Sequence, residues 1–333
     1  MNKDILIKTV ARLVSSPKGI LAIDESLNTC NKRFEKLGVP ITEEKRREYR
    51  ELLITAPEIE KYISGYILFD ETIRQSTNNH EKFTSVLQKK GIDIGIKVDE
   101  GLIDSPLYPR EKITSGLWGL SDRLQEYKNM GATFAKWRSV YIIGENIPTE
   151  DCMEENAVLF VKYAIECQEL GIVPIIEPEV LMDGDHSIEK CYEVTAQNLN
   201  IIFSKLKGLN IFIPGLILKT NMIISGKDAE TRAQAEEVAK MTIKCLKENV
   251  PSNIGGIVFL SGGQDDEEAV LNLNVMHKTA DLPWPLTFSY GRAIQNGALK
   301  SWSKNPEDVK TTQALLLATA KNNSEASMGE YKK

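Results

Sequence analysis

Ionisable residues sit inside segments that otherwise read as buried strands. Asp24 closes the apolar run 19–24, Lys97 and Asp99 lie in 92–99, and Lys136 and Arg138 lie in 133–141. Glu177 and Glu179 lie in 172–180, and Lys219 lies in 216–222. Residues two apart on a strand share a face, so Lys136/Arg138 and Glu177/Glu179 each point together. Charges in such places are costly to bury without purpose, and perturbed ionisable groups concentrate where chemistry is done. For any single pair the bland alternative is an ion pair knitting neighbouring strands.

A lysine becomes a nucleophile toward a carbonyl only when its amine is neutral, and both desolvation and nearby cations favour the neutral form. Lys219 has the most apolar flanks, Leu216, Ile217 and Leu218 before it and Met222 after. Lys136 and Arg138 are expected to add cationic pressure, whereas Asp99 favours the charged form of its strand companion Lys97. Lys219 is therefore the candidate Schiff-base lysine. Glu177 is the candidate proton shuttle, its pKa expected to be pushed up by the adjacent carboxylate of Glu179. Asp24 is a second candidate.

Two late segments join glycine to a strand–helix junction: Ser261-Gly262-Gly263 and Ser289-Tyr290-Gly291-Arg292. Glycine allows backbone N–H groups to approach an anion, a helix N-terminus favours negative charge, and Arg292 adds a bidentate donor. An earlier cationic group comprises Ser26, Thr29, Lys32, Arg33 and Arg46, with Lys97 joining it; a solvated helix face is the alternative for Lys32 and Arg46. Two anion sites flanking one reactive lysine imply a substrate phosphorylated at both ends.

Eight strand-length runs position these residues: 19–24, 62–69, 92–99, 133–141, 172–180, 216–222, 255–262 and 285–291. Helical patterns at 42–55, 150–170, 229–249 and 265–278 lie between them, with Thr149 and Asp265 as N-caps and Gly171 as a stop. Positions 97, 136, 177, 219 and 261 lie 39 to 42 residues apart, close to one βα unit of a barrel. The expected fold is α/β, a single (β/α)8 TIM barrel over residues 1–333, with a short N-terminal helix and a C-terminal helical extension. A doubly wound open sheet would carry a glycine-rich turn after its first strand, and this chain has none there. The first residues read as an amphipathic helix with Ile5, Val10 and Leu13 on one side. Functional charges belong at the C-terminal ends of barrel strands.

The 333 residues are 42% hydrophobic, with a net charge of −6. That balance argues against a nucleic-acid partner, and no apolar run is long enough to span a membrane. Five cysteines without metal-type pairing read as reduced thiols, so a soluble cytoplasmic protein is expected.

The segments ILAIDES, GIKVD, GATFAKWR, GIVPIIEPE, MDGDH, LILKTNM, FLSGGQ and LTFSYGRA closely resemble, in order, the motifs of class I fructose-bisphosphate aldolases, and the likeness extends from residue 19 to about residue 331. The resemblance implies reversible cleavage of fructose 1,6-bisphosphate, with a Schiff base on Lys219 and neither metal nor other cofactor. It implies Glu177 as the main acid/base, assisted by Asp24 and Lys136, with Glu179 and Arg138 beside them. Ser261, Gly262, Ser289, Gly291 and Arg292 match the 1-phosphate site. Ser26, Thr29, Arg33 and Lys97 match the far-phosphate site, with Lys32 and Arg46 nearby; Thr29 stands where relatives often have serine. Sugar phosphates are the implied partners, and a homotetramer is the family's usual assembly. Animal members extend further and end in a tyrosine that helps exchange the enamine C3 proton. Tyr331 is not expected to replace it, so slower or differently routed protonation is expected. A metal-dependent aldolase would need a histidine-rich site, and the chain has only His80, His186 and His277. Another Schiff-base aldolase or transaldolase, and a non-enzymic scaffold, are the remaining alternatives.

Overall fold

The protein is described from a computed structural model covering residues 1–279 and 281–333. Each of the eight apolar runs forms a strand: β1 (Gly19–Ala22), β2 (Ile63–Leu68), β3 (Asp93–Lys97), β4 (Ala132–Tyr141), β5 (Val173–Val180), β6 (Ile217–Thr220), β7 (Gly256–Phe259) and β8 (Leu286–Tyr290). Every strand pairs in parallel with its chain neighbours, and β8 returns to β1, closing the barrel. Closure removes the sheet edges, and helices between the strands cover the outside. The fold is a single-domain (β/α)8 TIM barrel.

The strands are buried on both faces, which is why they read as near-continuous apolar runs. One set of side chains, among them Ala135, Trp137, Ile176 and Leu218, packs against the helices. The other set fills the barrel. At its N-terminal end Phe134, Val173, Ile175, Ile217 and Val258 meet Leu6, Val10, Leu13 and Val14 from the N-terminal helix Lys3–Leu13 and its C-cap. Phe134 lies so close to β3 that a Cβ on Gly95 would stand 2.2 Å from the ring, so only glycine fits there. The N-terminal helix therefore plugs the barrel floor.

Some boundaries differ from the sequence reading. Ile5 is 48% exposed and Leu6 takes its place in the core. Thr149 accepts from Cys152 N–H and Asp265 from Glu268 N–H, capping their helices, and Gly171 ends the first of them with φ +71°. The helix expected from 229 begins instead at Ala235, because the preceding chain is engaged elsewhere. Gly226, Lys227 and Asp228 donate backbone bonds to His186, Met182 and Gly184. A hairpin of Leu102–Asp104 and Lys112–Thr114, absent from the sequence reading, is inserted between β3 and β4. The five cysteines are buried and unpaired. Among the described residues, no helix is long and apolar enough to cross a membrane.

Candidate active site

At the C-terminal end of the barrel the strands open into a cavity of about 530 Å³. Its floor is a chain of ion contacts. Lys219 Nζ lies 3.0 Å from Glu177 Oε1, and Lys136 Nζ lies 3.0 Å from Glu177 Oε2. Lys136 also reaches Asp24 Oδ2 at 2.9 Å and Asp99 Oδ2 at 4.0 Å. Lys97 pairs with Asp99 at 2.5 Å, and Arg138 Nε donates to Glu179 Oε2 at 2.6 Å. Four cations thus face four carboxylates. Lys136, Glu177 and Lys219 are each about 4% exposed, and the parallel register of β4, β5 and β6 is what brings them together.

Burial alone would raise both central carboxylates, but the lysines outweigh it. Asp24 is held down to about 2 by Lys136, Lys219 and Lys97. Glu177 is likewise held below the usual carboxylate range by Lys136, Lys219 and Arg138. Burial opposes the charge on Lys136, yet Asp24, Glu177 and Asp99 raise its pKa above the ordinary lysine value. Glu177 Oε2, although 3.0 Å from Lys136, makes no aligned hydrogen bond among the described residues. It retains accepting capacity toward a hydroxyl in the cavity.

Groups suited to holding an anion lie on two sides of this floor. Ser261 and Gly262 follow β7, and a Cβ on Gly262 would stand 2.9 Å from Glu179 Oε1, so the loop's close approach requires glycine. Ser289 and Gly291 follow β8 into helix Arg292–Lys304, whose N-terminus has no side-chain cap among the described residues and so suits an anion. Ser289 Oγ is buried and without a partner among the described residues. Opposite, Ser26 caps helix Leu27–Glu35 by accepting from Thr29 N–H, and its hydroxyl lies 3.1 Å from that of Thr29. Lys32, Arg33, Lys36 and Lys97 complete that side. A buried amine between two anion cradles, beside two carboxylates, is suited to imine chemistry on a carbonyl compound carrying two phosphates.

The family model described as fructose-bisphosphate aldolase class-I matches residues 5–333. The chain belongs to that family. It is thus a class I fructose-bisphosphate aldolase, a carbon–carbon lyase. A probable fructose-bisphosphate aldolase class 1 from Xanthomonas campestris is 51% identical over the full length of both chains. A cytosolic fructose-bisphosphate aldolase of Arabidopsis thaliana is 45% identical, over 98% of this chain and 84% of its own. A fructose-bisphosphate aldolase from Plasmodium falciparum, solved with TRAP and a small-molecule inhibitor, superposes with a TM-score of 0.97. It is 42% identical and is matched over 99% of this chain and 96% of its own.

Within this aldolase, all but one of the expected site residues line the cavity: Asp24, Ser26, Thr29, Arg33, Lys97, Lys136, Arg138, Glu177, Glu179, Lys219, Ser261, Gly262, Ser289, Gly291 and Arg292. Arg46 does not. Its guanidinium grips Glu71 with bonds of 2.6 and 2.7 Å and reaches Asn31, so its charge is committed outside the cavity. Two electrostatic expectations are also corrected. Glu179 is taken by Arg138, and Glu177 between two lysines is shifted down, not up. The cations expected to press on Lys219 are themselves matched by carboxylates.

Asp99, Glu25 and Lys36 also line the cavity. Asp99 was legible as the i+2 companion of Lys97. Lys36 stands four residues after Lys32, the spacing of one helix face. Nothing in the sequence sets Glu25 apart from a surface carboxylate. Tyr331 lies outside the cavity lining, its backbone exchanging bonds of 3.1 and 3.2 Å with the Asn274 side chain. His80, His186 and His277 lie outside it as well.

Proposed function

We propose that Lys219 condenses with C2 of fructose 1,6-bisphosphate and that cleavage proceeds through the resulting Schiff base. The observation that carries this reading is the placement of Lys219 Nζ, buried and 3.0 Å from Glu177, between the two anion cradles. Glu177 is within reach to take the ammonium proton that the attacking amine must lose. Glu177 gives that proton to the carbinolamine hydroxyl, which leaves as water with help from Lys136, and so becomes a carboxylate again. Glu177 then removes the C4 hydroxyl proton while Asp24 orients that hydroxyl. The C3–C4 bond breaks, its electrons pass into the iminium to give the enamine, and glyceraldehyde 3-phosphate leaves. Protonation at C3 and hydrolysis release dihydroxyacetone phosphate and restore Lys219. Glu179 and Arg138 hold the pair beside this centre.

The 1-phosphate is assigned to Ser261, Gly262, Ser289, Gly291 and Arg292, and the far phosphate to Ser26, Thr29, Arg33 and Lys97. No metal takes part in the proposed chemistry. The reversible reaction serves glycolysis or gluconeogenesis in the cytoplasm, in keeping with the plant relatives named cytosolic, and the working assembly is a homotetramer. Borohydride added during turnover is expected to fix the substrate covalently on Lys219, read by peptide mass spectrometry. A label on Lys97 or Lys136 instead overturns the assignment.

A further inference from the structure

A polar network lies behind the far-phosphate side of the cavity, and the steps above make no use of it. Gln295, fully buried on helix Arg292–Lys304, is its centre. Its Nε2 donates to the Ala22 carbonyl at 2.6 Å, where β1 ends and the chain turns toward Asp24. Its Oε1 accepts from the Tyr49 hydroxyl at 3.0 Å and from Arg33 Nη1 at 3.3 Å. Arg33 Nη1 also donates to Glu25, whose other oxygen takes Arg50 Nη2 at 2.8 Å, and Arg33 Nη2 reaches Asn296 Oδ1 at 3.4 Å. Gln295 does not itself line the cavity; Arg33 does.

We infer that Gln295 is a positioning residue that fixes Arg33 in the far-phosphate cradle and so sets the preference for a ketose phosphorylated at both ends over one phosphorylated only at C1. The inference deepens the aldol reading and rests on it. An arginine reaching from a helix face carries several rotatable bonds, and ordering it on binding weakens affinity. Here both protons of Nη1 are committed, to Glu25 and to Gln295, and one of Nη2 to Asn296. Nε–H and one Nη2–H remain for an anion. The guanidinium is held in place before substrate arrives.

The hydrogen bonds of the Gln295 side chain go to Ala22, Tyr49 and Arg33, none of them to Ser261, Gly262, Ser289, Gly291 or Arg292. Ser289 is carried by β8 itself, which is hydrogen-bonded to β1 and β7. Loss of Gln295 is therefore expected to weaken one phosphate site and spare the other, an asymmetry that a general packing defect does not produce.

The test compares steady-state kinetics on fructose 1,6-bisphosphate and fructose 1-phosphate for the wild-type chain, Gln295→Met and Tyr49→Phe. Gln295→Met keeps the volume and removes every bond to the amide. It is expected to raise KM for the bisphosphate about tenfold, with kcat and the fructose 1-phosphate parameters within about twofold. Tyr49→Phe removes one bond to the same oxygen and keeps the packing. It is expected to shift the bisphosphate KM the same way by about two- to threefold, and it carries the test should Gln295→Met fail to fold. Bisphosphate preference unchanged in the folded variants, or both substrates losing activity together alongside a lower Tm, overturns the inference. A wild-type chain that cleaves neither ketose overturns the reading beneath it, a distinct failure seen in a different sample.

Discussion

Along β4 the barrel-filling residues run Phe134, Lys136, Arg138; along β5 they run Val173, Ile175, Glu177, Glu179; along β6, Ile217 and Lys219. The lower members pack on the N-terminal helix, and the upper ones line the cavity. One step of two residues, about 6.6 Å along a strand, separates a layer that repels water from one that orders charge. The lower layer is held by shape, as the fit of Phe134 against Gly95 shows. The upper layer is held by charge matching. The apolar barrel floor also supplies the low-dielectric backing that strengthens the ion contacts above it, so the plug at one end bears on the charges at the other.

Substitutions one step apart on the same strands test that division. Lys219→Met is expected to lower kcat/KM by about 10⁴-fold or more while the barrel stays folded by circular dichroism. A variant that loses its fold along with its activity breaks the division. Phe134→Ala, one step below Lys136, is expected to cost about 3–5 kcal/mol of stability in urea unfolding, through lost burial and an unfilled cavity. Its kcat in the folded state is expected to stay within about tenfold of wild type; a larger loss with stability intact makes the floor part of the catalytic apparatus.

The smallest effect concerns acid. The folded pKa of Asp24 lies near 2, below the ordinary value of 3.8. The unfolded chain therefore binds the extra proton first, and the contribution, about 2 kcal/mol, is complete above pH 4 and lost as pH falls toward 2. Wild type is expected to lose stability over that window more steeply than Asp24→Asn. Equal slopes in acid unfolding show that the ion contacts of the cavity floor do not hold Asp24 in its charged form.

The eight strands were legible because each is buried on both faces and so spells an apolar run. The ring of charges was legible because a charge inside such a run carries a desolvation cost that only a partner or a task offsets. What escaped was set by partners distant in sequence. Arg46 reads as a free cation until Glu71, 25 residues on, closes on it. The direction of the Glu177 shift depends on which cations stand on either side, which register between strands decides. Glu25 gains its role only from two arginines on separate helices. The hairpin of Leu102–Asp104 was missed because its first strand is short and exposed and so has no apolar signature.

The matched charges of the cavity floor bear on how substrate arrives. Four cations against four carboxylates present almost no net field to a distant ion, so the floor neither draws a sugar phosphate in nor turns it away. Lys32, Lys36 and Arg292 also line the cavity and are exposed cations that form no ion pair among the described residues, so the unmatched positive charge lies with them. Attraction at the rim acts within the reach of dissolved salt, while the buried charges below are shielded from it.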